Sequence, residues 1–249
     1  MFMKKFNPDT ESRVYGKNHC KSLFKKRPED IISCFITQNL AKDFKQELSL
    51  LAKNKKAYHI VNREELEKLT KSTHHEDVCL VIKKKKNLTL ENFLKNLSPK
   101  NSDLVVALEN VSNPHNLGAI LRSMAHFNIK TLLIPEDKKL DTGATLRTSE
   151  GGAEYVDIVE VKNLESALKK LKDHKFEILA TTSHGGVKLY DYNFPKKAVL
   201  LFGEEGPGLS KKILDQFTKL QIDGTNQVES LNVSVAAAVI FAEHFRQNK

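Results

Sequence analysis

Short apolar runs alternate with helical stretches along the second half of this chain, and few architectures accept that pattern. Runs at 104–108, 131–134, 155–161, 176–180, 198–202 and 219–222 have the length of strands. Stretches with helical spacing at 117–127, 164–171 and 233–245 lie between or after them. An unalternating apolar run of about five residues suits a parallel strand buried on both faces. The pattern predicts an α/β fold with a mostly parallel sheet covered by helices, and ligands collect at the carboxyl ends of such strands.

The first part of the chain reads as a second, smaller α/β domain. Helices are expected at 19–26, 43–54 and 64–71, and strands at 31–36, 57–61 and 78–82. Residues 1–12 lack periodicity and read as a flexible tail, which leaves 13–86 for the small domain. Lys83, Lys84, Lys85 and Lys86 close it as a solvated edge. Residues 87–102 hold one short amphipathic helix and a Ser98-Pro99 break, and read as a linker to a second domain at 103–249.

Charge separates the two halves. The chain of 249 residues carries a net charge of +9, yet residues 1–100 hold 22 Lys and Arg against 12 Asp and Glu. Residues 101–249 hold 18 against 19, so the N-terminal part carries the whole excess. That asymmetry suggests a polyanion partner, most often nucleic acid, while a plain lysine-rich surface accounts for the same numbers. The best apolar run, 235–242, is far short of the ~18 residues that span a bilayer, so no membrane partner is expected. Met1-Phe2-Met3 runs straight into Lys4-Lys5 without the apolar stretch of a signal peptide. Three cysteines, Cys20, Cys34 and Cys79, do not suggest a disulfide framework. The expected location is the cytoplasm. A zinc site built from these cysteines with His74 and His75 lacks any C-x-x-C spacing, and the two histidines read as surface loop residues.

Three segments at strand ends carry the chemistry. After the 104–108 run comes Glu109-Asn110-Val111-Ser112-Asn113-Pro114-His115-Asn116-Leu117-Gly118, a loop expected to enter a helix near Leu117 that bears Arg122. The arginine fork there suits phosphate or carboxylate; the plain alternative is an Asn cap and a surface ion pair. After 198–202 comes Gly203-Glu204-Glu205-Gly206-Pro207-Gly208-Leu209-Ser210. Its glycines let backbone approach a ligand closely, and no Gly-Lys-Ser/Thr or G-x-G-x-x-G is present. Its carboxylates would repel a phosphate and favour hydroxyls or a cationic centre. The alternative is a turn into a helix capped by Ser210. After 219–222, a polar loop leads through Ser230-Leu231-Asn232 into the small-residue helix Val233-Ser234-Val235-Ala236-Ala237-Ala238, whose N-terminus offers free N–H donors.

Together the three segments resemble the SpoU (TrmH-type) family of RNA ribose 2′-O-methyltransferases. Pro114, His115, Asn116, Gly118 and Arg122 match its P-H-N-x-G-x-x-x-R pattern. Gly203, Glu205, Gly206 and Gly208 match G-x-E-G-x-G, and residues 230–236 match S-L-N-V-S-V-A without a change. The resemblance covers essentially all of 103–247. Arg147 to Glu154 looks like the family's linker between early strands, and Val14-Tyr15-Gly16 with the small domain looks like its substrate-binding domain.

The resemblance implies a C-terminal methyltransferase domain with a deep trefoil knot, working as a homodimer on rRNA or tRNA with S-adenosyl-L-methionine as cofactor. Gly203, Ile222 and Leu231 would contact that cofactor, with Thr181 nearby. Arg122 would be the catalytic arginine, acting through an RNA phosphate that accepts the proton or by lowering the pKa of the 2′-hydroxyl. Asn116 would orient the ribose or Arg122, Glu205 would hold Arg122 or the partner's motif, and Ser230 and Asn232 would fix the loop and the hydroxyl. No metal is implied. The chain departs from the pattern at Asp223 (usually Pro), Asn226 (commonly Gly) and Asn128 (usually Gly). The alternative reading is a non-catalytic RNA-binding protein that keeps the scaffold; a Rossmann-type nucleotide enzyme is disfavoured by the missing fingerprint. Tyr15, Phe24 and Phe35 are read as core residues rather than base-stacking platforms.

Overall fold

The structure, a computed structural model, describes residues 6–97, 103–138, 140, 142–225 and 227–249. It forms two compact units, one of Met1–Lys86 with Ser149–Glu154, the other of Asn87–Thr148 with Tyr155–Lys249.

The first unit runs β1 (Glu11–Tyr15), α1 (Lys17–Lys26), β2 (Ile31–Ile36), α2 (Gln38–Ala41), α3 (Lys45–Lys53), β3 (Ala57–Ile60), α4 (Arg63–Thr70) and β4 (Val78–Lys83). Its four-stranded sheet has the order β1-β4-β2-β3, with β4 antiparallel to both neighbours and β2 parallel to β3. The cap of α4 is written in sequence: Asn62 accepts from Glu65 N while Glu65 reaches back to Asn62 N. Leu23, Phe24, Phe44, Leu51, Ile36 and Leu80 form the core on one face. Phe24 and Phe35 are both buried, Phe35 stacked on His59 at 4.8 Å. Cys20, Cys34 and Cys79 are buried free thiols.

Three expectations change here. Residues 11 and 12 belong to β1 and pair with Lys83 and Ile82, so they are sheet rather than tail; residues 1–5 lie outside the described residues. His75 is 2% exposed, its Nδ1 accepting from Asp77 N at 3.0 Å, so it is a turn-forming residue inside the unit rather than a surface one. Ser149–Glu154, expected as a strand linker, belongs to this unit. Glu154 lies 3.0 Å from His19 Nε2 and 2.7 Å from Arg27 Nε, and Glu150 accepts from Asn18 at 2.7 Å.

The second unit runs β5 (Leu88–Thr89), α5 (Leu90–Lys95), β6 (Asp103–Leu108), α6 (Pro114–His126), β7 (Thr131–Pro135), α7 (Gly143–Thr148), β8 (Asp157–Val161), α8 (Leu164–Asp173), β9 (Glu177–Thr182), β10 (Val187–Lys188), β11 (Lys197–Phe202), α9 (Lys211–Leu214), β12 (Thr218–Gln221) and α10 (Val233–Gln247). The eight strands lie in the order β10-β12-β9-β11-β6-β7-β8-β5, and every pairing in this sheet is parallel. Residues 87–97, expected as linker, are part of the sheet layer: Leu88 pairs with Val159, and Phe93, Leu94 and Leu97 pack on the core with α8. The apolar face of the expected amphipathic helix, with Leu88 before it, is what draws this segment onto the core despite the adjoining lysine run. Residues 98–102, including the Ser-Pro break, lie outside the described residues.

From β6 the chain winds outward through β7 and β8, then returns on the other side as β9, and β11 settles beside β6. Neighbouring strands β6 and β11 therefore mark the switch point of a sheet whose ligands collect at the carboxyl ends of its strands. α6 and α10 pack against each other, and Phe241 of α10 meets Phe202 of β11 edge-on at 6.0 Å.

Candidate active site

The loop after β6 enters α6 three residues earlier than the sequence suggests. Asn113 caps the helix by accepting from His115 N at 2.9 Å, and Pro114 occupies the first turn, where its missing N–H costs nothing. Asn116 therefore lies inside the first turn, only 7% exposed. Gly118 allows α7 to close on α6: a Cβ there would meet Thr148 Cβ at 2.5 Å and Thr145 O at 2.6 Å. Asn128, standing where Gly is usual, takes φ 57, a conformation Asn tolerates better than most residues.

The loop after β11 folds back on itself. Gly208 N donates to Glu204 O at 2.9 Å, and Gly206 and Gly208 have φ of 87 and 69. A Cβ on Gly203 would stand 2.2 Å from Gly208 C and 2.3 Å from Leu209 N, so only glycine permits the crossing. Ser210 does not cap α9. Its N and Oγ instead donate to the Glu109 carboxylate at 2.8 and 2.9 Å, tying the β11 loop to the β6 loop. Glu109 was missed by sequence reasoning, and its only signal was its place at the carboxyl end of the central apolar run.

The third loop ends at Asn232. Its Oδ1 accepts from Ser234 N at 2.9 Å and caps α10; its Nδ2 donates to Asn116 Oδ1 at 3.0 Å and to Glu205 Oε1. Three residues singled out in three separate motifs thus form one hydrogen-bonded cluster.

Beside it lies a cleft of about 680 Å³ whose lining includes Thr181, Gly203, Glu205, Ile222, Ser230, Leu231 and Asn232. Thr181 is fixed by donating to Leu201 O at 2.9 Å. The lining also holds Glu204, Asp223 and Glu229, so four carboxylates face it with no lysine or arginine. Asp223 is paired with Lys188 at 3.1 Å. Asn226 lies outside the described residues. A cleft of this charge disfavours phosphates and suits a ligand with a cationic centre. Among the described residues, no group of three or more metal-ligating side chains comes together.

Arg122 is the expected site residue that the chain does not bring to this cluster. It is exposed, on a face of α6 about 120° round the helix from Asn116 and roughly 9 Å along it. Neither Asn116 nor Glu205 is hydrogen-bonded to it; both are engaged by Asn232.

Residues 103–242 match the SpoU rRNA Methylase family, and residues 13–88 match the substrate-binding domain of RNA 2′-O ribose methyltransferases. The chain is 40% identical to an uncharacterized tRNA/rRNA methyltransferase, YfiF, of Escherichia coli O157:H7, over 96% of this chain and 69% of that protein. It is 30% identical to the 23S rRNA (guanosine-2′-O-)-methyltransferase RlmB of Neisseria meningitidis serogroup B, over 94% of each. Its fold is that of the AdoMet-bound rRNA methyltransferase of Sinorhizobium meliloti, with a TM-score of 0.77 and 18% identity over 96% of this chain and 88% of the other. With both halves of the chain matched in order and the three strand-end segments joined in one hydrogen-bonded cluster, the chain belongs to the SpoU rRNA methylase family.

Proposed function

We propose that the protein transfers a methyl group from S-adenosylmethionine to a ribose 2′-hydroxyl in ribosomal or transfer RNA, as a homodimer. The observation that carries this reading is the cleft at the carboxyl ends of β9, β11 and β12. Glu204, Glu205, Asp223 and Glu229 line it together with His184 and no lysine or arginine, and the segments after β9, β11 and β12 form its walls. The cofactor fits such a site: it bears a sulfonium and an ammonium, and its adenine needs backbone partners where side chains are absent. Gly203, Ile222 and Leu231 would hold it, with Thr181 behind them. When bound, it supplies an activated methyl group.

The protein then has to align the 2′-hydroxyl and move its proton. A guanidinium is a poor base. Arg122, exposed on α6, would grip the RNA phosphate next to the target ribose, and that phosphate accepts the proton. Asn116, Glu205 and Asn232 would keep the cleft's mouth in one geometry, and Ser230 would orient the hydroxyl. Arg122 stands apart from its own chain's cluster, which supports a dimer in which it serves a site completed by a second copy. Leu231, Val235 and Phe245, exposed at 45%, 48% and 40%, supply apolar surface at and beside α10 for such a contact. A trefoil knot in the C-terminal domain is part of the same reading, supported by the family match over residues 103–242. The basic N-terminal unit would recruit the RNA. Among the described residues no helix is long and apolar enough to cross a membrane, and cytoplasmic residence is part of the same reading.

The test is incubation with methyl-labelled S-adenosylmethionine and RNA, then alkaline hydrolysis. A 2′-O-methyl group leaves an alkali-resistant dinucleotide. RNA binding without cofactor binding would instead favour a non-catalytic RNA-binding protein.

A further inference from the structure

The transfer reaction makes no use of Lys83–Lys86, and the structure shows what surrounds that run. Because β4 is antiparallel to β1 and β2, its end meets the starts of β1, β2 and β3 at one end of the N-terminal sheet. There Lys55, Lys56 and Lys83 line a cleft of about 550 Å³ with Glu11 and Glu29. Lys55 sits in a left-handed turn at φ 54. Lys56 Nζ donates to the carbonyls of Pro28 and Glu29 at 2.8 and 2.6 Å, so backbone oxygens hold its ammonium in place. Burial lowers the Lys56 pKa and the positive charge of Lys83 lowers it further, against the nearby Glu29 and Asp30.

The carboxylates at this end are mostly engaged elsewhere. Glu11 is 7% exposed and accepts from Asn7 N, and Asp30 is bound by Arg27 at 3.1 Å. Among the described residues Lys55 and Lys83 form no ion pair. Beyond β4 the ladder continues as Lys84 N donates to Thr10 O at 2.9 Å, which fixes the backbone where the remaining exposed lysines begin. Three amines face two carboxylates, Glu11 and Glu29, in this cleft, and the lysines that follow Lys83 add to the positive excess, which favours an external anion. Their spread over two chain segments suits several phosphates at once rather than one.

We propose that this end of the N-terminal sheet, from Lys55 and Lys56 across Lys83 to Lys86, grips the phosphate backbone of the RNA substrate. The assignment rests on the RNA reading above. Lysines act as point charges here, so the grip positions the substrate and leaves base selection to other parts of the protein.

The experiment uses the full chain, a labelled hairpin RNA and a salt titration. K55Q/K83Q and K84Q/K86Q are compared with K169Q/K172Q, which removes equal charge from exposed positions of α8. Lys56 is left in place because it also ties two loop carbonyls. Each grip variant should bind RNA about tenfold more weakly, with a salt slope shallower by roughly 1.5, while K169Q/K172Q stays within about twofold of the wild type. Cofactor binding should be unchanged in all of them. Equal losses in grip and α8 variants would overturn the proposal. So would unchanged RNA binding, or a loss confined to sedimentation with phosphatidylglycerol vesicles. A wild-type chain that methylates RNA beside grip variants that bind normally sinks the grip alone; a wild-type chain that binds no RNA sinks the methyltransferase reading with it.

Discussion

Asn232 donates its side-chain amide to Asn116 Oδ1 at 3.0 Å, joining residues that are 116 positions apart in the chain. The same side chain caps α10 through its oxygen. One residue therefore sets the start of α10, the orientation of α6 and, through Glu205, the loop after β11. Asn232→Ala removes the cap, worth about 1 kcal/mol, and leaves a buried asparagine without its donor. We expect thermal unfolding to shift down by a few degrees and methyl transfer to fall at least tenfold. Asn232→Asp keeps the cap but sets a second carboxylate against Glu205, so it should retain stability better than activity.

Gly203→Ala tests the loop crossing. The added Cβ would stand 2.2–2.4 Å from the backbone of Gly208 and Leu209, which cannot yield as a side-chain tip could. Overpacking of this kind costs about 1–3 kcal/mol. Titration calorimetry with S-adenosylmethionine should show loss of most affinity, whereas Gly206→Ala, which meets no atom within 4 Å but has φ 87, should show a smaller, conformational effect.

Acid stability should depend on Glu154. Burial opposes its ionisation, but hydrogen bonds from His19 and Arg27 and their charges outweigh this and hold its pKa at about 2. A carboxylate with a depressed folded pKa stabilises the protein above its unfolded value near 4.5, and that stabilisation is lost as pH falls from there towards 2. Glu154→Gln should therefore lower stability at pH 7, by roughly 2–3 kcal/mol, and by much less at pH 3. A urea titration at both pH values measures it. An equal loss at both would mean that the packing of Ser149–Glu154, rather than the charge, is what matters.

The three cysteines should be inert in the folded protein. Cys34 and Cys79 are pushed up to about 12, chiefly by burial, and Cys20 is raised by burial as well. A thiol of that kind holds almost no thiolate near neutrality. A chromogenic disulfide reagent at pH 8 should label none of the three at equilibrium in the native chain, and all of them in guanidinium.

How much of this was legible depended on whether the signal was local. The parallel sheet was readable because runs such as 104–108 and 198–202 are apolar throughout and carry no alternation, as burial on both faces demands. Ligand sites at the ends of such strands follow from topology, so the three loops are legible as candidates, whereas their meeting at Asn232 is not. Strand β1 was missed because Glu11, Ser12 and Arg13 are polar and only pairing with β4 makes them a strand. Helix α7, Gly143–Thr148, was missed because it is short and depends on packing against Gly118. The start of α6 at Pro114, rather than near Leu117, is not marked by sequence because proline suits both a loop and a first helical turn. No spacing could show that Asn116 pairs with Asn232, because that partner comes from the far end of the chain.

The central claim is that methyl transfer to a ribose 2′-hydroxyl occurs at this cleft with Arg122 as the substrate-gripping cation. It is tested most directly by measuring alkali-resistant, labelled dinucleotides from RNA treated with the wild type or with Arg122→Ala, beside calorimetry with S-adenosylmethionine. The wild type should produce them, Arg122→Ala should lose at least a hundredfold in rate, and both should bind the cofactor with the same affinity. Full activity in Arg122→Ala, or label found on bases with none on ribose, would contradict it.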